Sequence, residues 1–114
     1  MRYLTLIFTF LSTTVWADAT GQQREVLLDN DEVELVRLTY PPGTESGMHG
    51  HQFPHRVVYV LAGGTIKLVP ADPDKQAQTL KVEAGTSLFR PAEEHNVVNV
   101  GDTTVQLLET ELKR

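Results

Sequence analysis

Residues 48–61 read Met48-His49-Gly50-His51-Gln52-Phe53-Pro54-His55-Arg56-Val57-Val58-Tyr59-Val60-Leu61. Three of the chain's four histidines fall within seven residues, and an arginine and a β-branched and aromatic run follow. Side chains alternate along an extended strand, so His49 and His51 share one face with Gly50 between them on the other. Two imidazoles spaced in this way can grip one ion. His55 has the same parity, but Pro54 cannot donate to a ladder and breaks the register, so His55 is read as a rim or loop residue. The fourth histidine, His95, comes directly after the turn Pro91-Ala92-Glu93-Glu94, where a barrel could bring it opposite the pair.

Outward from this stretch the whole chain has strand character. Val33–Tyr40, Val57–Leu61, Thr65–Val69, Thr79–Val82, Ser87–Phe89, Val97–Val100 and Val105–Leu112 are short β-rich runs separated by Gly, Pro and Asp turns. No segment carries a sustained 3.6-residue apolar period. The pattern predicts an all-β sandwich or barrel after a polar lead-in over Asp18 to Arg24. Gly63-Gly64 is read as a hairpin turn rather than a phosphate loop, because no helix signal follows it to present free amides.

The 114 residues, with 40% hydrophobic and 22% charged content, suit one globular domain. The start is different in kind. Arg2 precedes an almost wholly apolar Tyr3 to Leu11, and Val15-Trp16-Ala17 has the small residues a signal peptidase reads, so residues 1–17 are predicted to be a secretory signal peptide and 18–114 the domain. The apolar run is about half the roughly 20 residues a bilayer span needs, and no membrane association is expected after cleavage. Arg2 stands alone, which points to the general unfolded-chain export route and a periplasmic or secreted location. Of the 10 Lys+Arg and 15 Asp+Glu, cleavage removes only Arg2, leaving 9 against 15 and a formal charge of −6. Such a surface does not attract nucleic acid or anionic lipid. Cysteine is absent, which excludes thiolate metal sites, cysteine nucleophiles and disulfides. A homodimer is expected, since a domain this small has no covalent staple.

The motif spacing resembles the cupin superfamily. Its first motif runs Gly, five residues, His-x-His, three or four residues, Glu, six residues, Gly; Gly43, His49-Gly50-His51, Arg56 and Gly63 keep that frame with arginine in the glutamate place. The second motif runs Gly, five residues, Pro-x-Gly, two residues, His, three residues, Asn. Gly85, Pro91-Ala92-Glu93, His95 and Asn99 follow it with Glu93 in the glycine place and one residue fewer before the histidine. The phrases Arg56–Leu61 and Phe89-Arg90-Pro91-Ala92 are similar to very small single-domain bacterial cupins, some of them associated with β-amino-acid breakdown. The resemblance implies a jelly-roll β-barrel of two antiparallel sheets, covering motifs at 43–63 and 85–99.

It also implies that His49, His51 and His95 are metal ligands and that Arg56 stands where a fourth ligand would be. The cofactor would be a divalent ion such as Zn, Cu, Mn, Ni or Fe, with open positions for a ligand. Three neutral imidazoles leave such an ion its full charge, and a guanidinium beside it makes the pocket more positive. A small anionic compound, a carboxylate for example, is therefore the expected partner, bound by the metal and by Arg56. Two readings stand: a metal-dependent oxidoreductase or lyase, and a metal-free degenerate cupin that serves as a noncatalytic periplasmic binding protein. No catalytic residue is assigned, and Glu93 is the one acid considered for proton transfer. Phe53, Tyr59 and Phe89 are candidates for the pocket wall, although aromatics in β segments more often belong to the core.

Overall fold

The computed structural model describes residues 21–114 and the backbone of Trp16–Ala17; the leader expected over 1–17 otherwise lies outside the described residues. The strands, in chain order, are β1 (Trp16–Ala17), β2 (Gln23–Asp29), β3 (Val33–Tyr40), β4 (His49–Gly50), β5 (His55–Ala62), β6 (Gly64–Pro70), β7 (Gln78–Val82), β8 (Ser87–Pro91), β9 (Glu94–Asn99) and β10 (Val105–Leu112). They form an antiparallel six-stranded sheet, β1-β2-β3-β10-β5-β8, facing an antiparallel four-stranded sheet, β4-β9-β6-β7. The jelly-roll expectation holds, and two of the predicted strands, Val33–Tyr40 and Val105–Leu112, have the predicted bounds.

The end of the lead-in, Gln23-Arg24, opens a strand that runs on to Asp29 and was not among those predicted. β2 was hidden because its register on β3 shifts between Val26 and Leu28, which spoils the period-2 alternation, and most of its side chains are exposed. Gly63-Gly64 also differs from the hairpin reading. β5 and β6 belong to different sheets, so the pair is the corner at which the chain crosses from one sheet to the other. A Cβ on Gly63 would lie 2.4 Å from the Val82 carbonyl oxygen, and one on Gly64 would lie 2.7 Å from Val105 Cγ2. Glycine is there for close backbone approach.

Register stacks the inward side chains in rows. At the open end, Glu34, Glu111, Arg56 and Arg90 lie side by side across the six-stranded sheet. The facing sheet contributes His49 and His95, paired across β4 and β9. One row down, Val36, Glu109, Val58 and Leu88 are aligned opposite Leu68 and Val97. Below these come Leu38, Leu107 and Val60, opposite Leu80 and Ile66, and then Tyr40 and Val105. Val60 and Val105 are fully buried, and these lower rows form the core. The barrel is thus charged at its mouth and aliphatic at its base.

Asn99 closes the base. Its amide donates to the carbonyls of Tyr40 and Thr103 at 2.8 Å each, and its Oδ1 accepts from Gly101 N–H at 3.0 Å. This motif asparagine therefore ties β9 to β3 and the last turn, remote from the histidines. Gly63→Ala should destabilise the protein by roughly 1–3 kcal/mol, because the atoms its methyl meets are backbone and cannot swing away. Urea denaturation compared with Gly43→Ala, whose Cβ meets nothing within 4 Å but which sits at φ 78°, separates steric overlap from backbone strain.

Candidate metal centre

The three histidines predicted to act together do meet. Ring centroids of His49, His51 and His95 lie 4.8–5.2 Å apart, and one nitrogen from each falls within a 4.8 Å cluster able to hold a metal ion. His49 and His95 are brought opposite each other by the β4–β9 register, and His51 follows in the loop beyond β4. His49 Nδ1 faces the Gly47 carbonyl at 2.9 Å, and His51 Nδ1 faces Glu111 Oε1 at 2.6 Å. An oxygen acceptor at Nδ1 puts the proton there and leaves Nε2 as a bare lone pair.

His51 Nε2 and His95 Nε2 are 3.2 Å apart. His95 Nδ1 is buried without a hydrogen bond, its nearest carboxylate being Glu93 at 3.8 Å. Whichever nitrogen of His95 carries the proton, the pair leaves at least one buried polar atom unsatisfied. A cation between the Nε2 atoms would accept both lone pairs and free Nδ1–H to turn to Glu93. Two nitrogens at about 2.05 Å from a tetrahedral ion are about 3.3 Å apart, which matches the spacing found. The residues fit a metal ion.

Arg56 faces the same cavity and is 3% exposed. Its Nη1 donates to the Pro91 carbonyl and its Nη2 to Glu93 Oε2, both at 2.6 Å, while Nε lies 3.5 Å from Glu109 without a formed hydrogen bond. The expected surplus of positive charge is absent because the guanidinium is answered by carboxylates. Glu93 also accepts from Arg90, so one carboxylate bridges two arginines that oppose each other across β5 and β8. Burial pushes the Glu93 carboxyl up, but the hydrogen bonds from Arg90 and Arg56 outweigh it and hold the group below the usual range. Glu93 is thereby held as the counter-charge to both arginines.

Glu109 and Glu111 went unnoticed in the sequence, although Val105 and Leu107 share their parity and signal that this face of β10 turns inward. Burial pushes Glu109 up to about 7; Arg56 opposes this, and Glu111 adds to it. His95 is pushed down to about 4 by burial and then by His49, and His51 is lowered, first by burial. His55 points away from the cavity and stacks on Phe89, with ring centroids 5.1 Å apart. Tyr59 and Phe89 lie on the outer face and are 41% and 65% exposed; of the three candidate aromatics, Phe53 lines the cavity.

A jelly-roll of two antiparallel sheets with a histidine cluster at its open end defines a class. The cupin domain profile matches residues 36–111, and the chain belongs to the cupin family. It is 38% identical over 89 residues to the β-alanine degradation protein BauB of Pseudomonas aeruginosa, covering 77% of this chain and 90% of that protein. The crystal structure of a cupin domain from Bordetella pertussis superposes with a TM-score of 0.75 at 32% identity, over 85% of this chain and 98% of that one. A predicted oxalate decarboxylase from Thermotoga maritima shares the fold at a TM-score of 0.61 and 22% identity, covering 80% of this chain and 79% of that one.

Arg56→Ala should destabilise the protein by roughly 2–4 kcal/mol, since it strips a buried cation from Glu93 and Glu109 while Glu93 keeps Arg90. Chemical denaturation at pH 7 measures this, and an effect below 0.5 kcal/mol, the size of a surface change, would show the network to be energetically idle. In the metal-free protein two proton linkages oppose. His95 is neutral down to about pH 4 in the fold, against 6.5 when unfolded, so its contribution is lost as pH falls from 6.5. Glu109 is protonated up to about 7 in the fold, against 4.5 when unfolded, so its contribution is lost as pH rises through that range. His51, also lowered, adds to the His95 arm, so the parent should lose less stability between about 6.5 and 4.5 than Glu109→Gln, which removes the opposing arm and should lose on the order of 1–3 kcal/mol more as pH falls toward 4. Urea midpoints across pH test this; a variant that loses no more than the parent contradicts it.

Proposed function

We propose that this protein holds a divalent metal ion through His49, His51 and His95 and uses the open positions on that ion to bind a small anionic compound. The observation that carries the reading is the 3.2 Å approach of His51 Nε2 to His95 Nε2, with His51 Nδ1 already committed to Glu111. A bound divalent ion supplies Lewis-acid activation of a coordinated oxygen.

The charge around the site supports an anion as the partner once metal is present. Arg56 and Arg90 face Glu93, Glu109 and Glu111, of which Glu109 keeps its proton up to about 7, so these groups nearly balance and a divalent ion would leave the site positive. Arg56 adds its charge and its unpartnered Nε to the anion side of the cavity. Glu109, with its carboxyl near 7, is suited to exchange a proton with a bound compound at neutral pH, which favours an enzyme of the oxidoreductase or lyase kind over a passive binder. Similarity to a β-alanine degradation protein agrees with a small carboxylate as ligand. The setting we infer is outside the cytoplasm, after cleavage of the apolar leader. We also infer a homodimer, with the outward apolar side chains of β5 and β8, among them Val57, Tyr59, Leu61 and Phe89, covered by a second copy.

Metal analysis of protein purified without an affinity tag, followed by zinc titration of chelator-treated protein, tests the centre. One ion per chain is expected, lost in His95→Ala. Glu111→Gln, which keeps the shape but weakens the acceptor that orients His51, should lower affinity 10–100-fold. Equal zinc affinity in parent and His95→Ala would dismiss the three-histidine centre and leave the metal-free binding protein as the better reading.

A further inference from the structure

The cavity beneath the histidines is larger than a small oxyanion needs. From the histidine-lined mouth to the base it has a volume of about 460 Å³, whereas a water molecule takes a share of about 30 Å³. The sequence makes this room, because the barrel's inward positions carry short side chains. Val58, Val60, Val82 and Val97 line the space with Ile66 and Leu80. Register puts these residues one to three rows below the Arg56 row, and successive rows are two residues, about 6.6 Å, apart along a strand. Most of the charge lies in the upper two rows, where Arg56, Arg90, Glu34, Glu109 and Glu111 stand beside the histidines; Arg24, level with Leu38 on β2, is paired with Glu34. Apart from Arg24, which is committed to Glu34, the lower wall carries neutral groups: the aliphatic side chains, Gln22, Ser46 and Tyr40, a phenol kept neutral by burial and then by Glu109.

From this we infer that the ligand is an aliphatic monocarboxylate, with its carboxylate at the metal centre and an uncharged hydrocarbon body filling the valine-lined base of the barrel. The carboxylate end rests on the metal reading above; the hydrocarbon end rests on the cavity alone. A second charged group at the far end of the ligand would be stripped of water against a mainly aliphatic wall without a free opposite charge, which disfavours ω-amino acids and dicarboxylates.

The test is calorimetric titration of the zinc-loaded, tag-free protein with acetate, propionate, butyrate, hexanoate and β-alanine, with zinc content measured on each sample. Affinity should rise about fourfold per methylene until the cavity is full, the factor set by burying one CH₂ group. β-Alanine should bind at least about tenfold more weakly than butyrate. Leu80→Trp, which fills the base, should move the best ligand to a shorter acid, and its zinc content shows whether the centre is intact. Affinity that is level with chain length, or highest for acetate, overturns the inference. If the protein takes up no zinc, the metal reading falls by itself, and the same series on metal-free protein still decides: a chain-length gradient supports the hydrocarbon pocket, and none rejects it.

Discussion

A guanidinium buried at the mouth of an aliphatic barrel has to be met by carboxylates, and the upper half of this molecule is arranged around that need. Arg56 sits opposite Arg90 across β5 and β8, a like-charge pair that would repel if left alone. Glu93 bridges the two, and Glu109 approaches from β10. Glu93 arrives from the turn before β9, so the same ion pair that neutralises Arg56 also anchors the segment that delivers His95. Electrostatic neutrality and ligand geometry are thereby solved by one set of contacts.

The arginine in a position where a cupin frame places glutamate does not leave the site without acids. They are supplied from elsewhere: Glu111 from β10 at His51 Nδ1, and Glu93 from the β8–β9 turn near His95 Nδ1. Carboxylates in these positions orient imidazoles and raise their basicity. The result is a histidine cluster able to hold a metal ion, with neutral imidazoles inside and carboxylates around them.

Below the charged rows the barrel changes character within two residues of strand. This sharp division follows from antiparallel register, which aligns equal depths on neighbouring strands, so that Glu111 stands beside Arg56 and Leu107 beside Val60. A one-residue slip of β10 would turn its acids outward and empty the network. Function at the rim and packing at the base are therefore coupled through the pairing of a single central strand with β3 and β5.

The sequence by itself determined the all-β architecture, most strand positions, and the histidines that would share a site, because period-2 alternation and motif spacing are local signals. It also marked His55 as outside the set, since Pro54 interrupts the ladder. The meaning of Arg56 was decided only by the tertiary structure. Its partners lie 37 and 53 residues away along the chain, and their arrival depends on which strands become neighbours, something no local pattern encodes. The roles of Gly63-Gly64 and Asn99 were hidden for the same reason: a crossing between sheets and a closure of the barrel base exist only once both sheets face each other. The inward acids of β10 lay between these extremes, legible in the parity of Val105 and Leu107 yet without significance until register set Glu111 against His51 and Glu109 against Arg56.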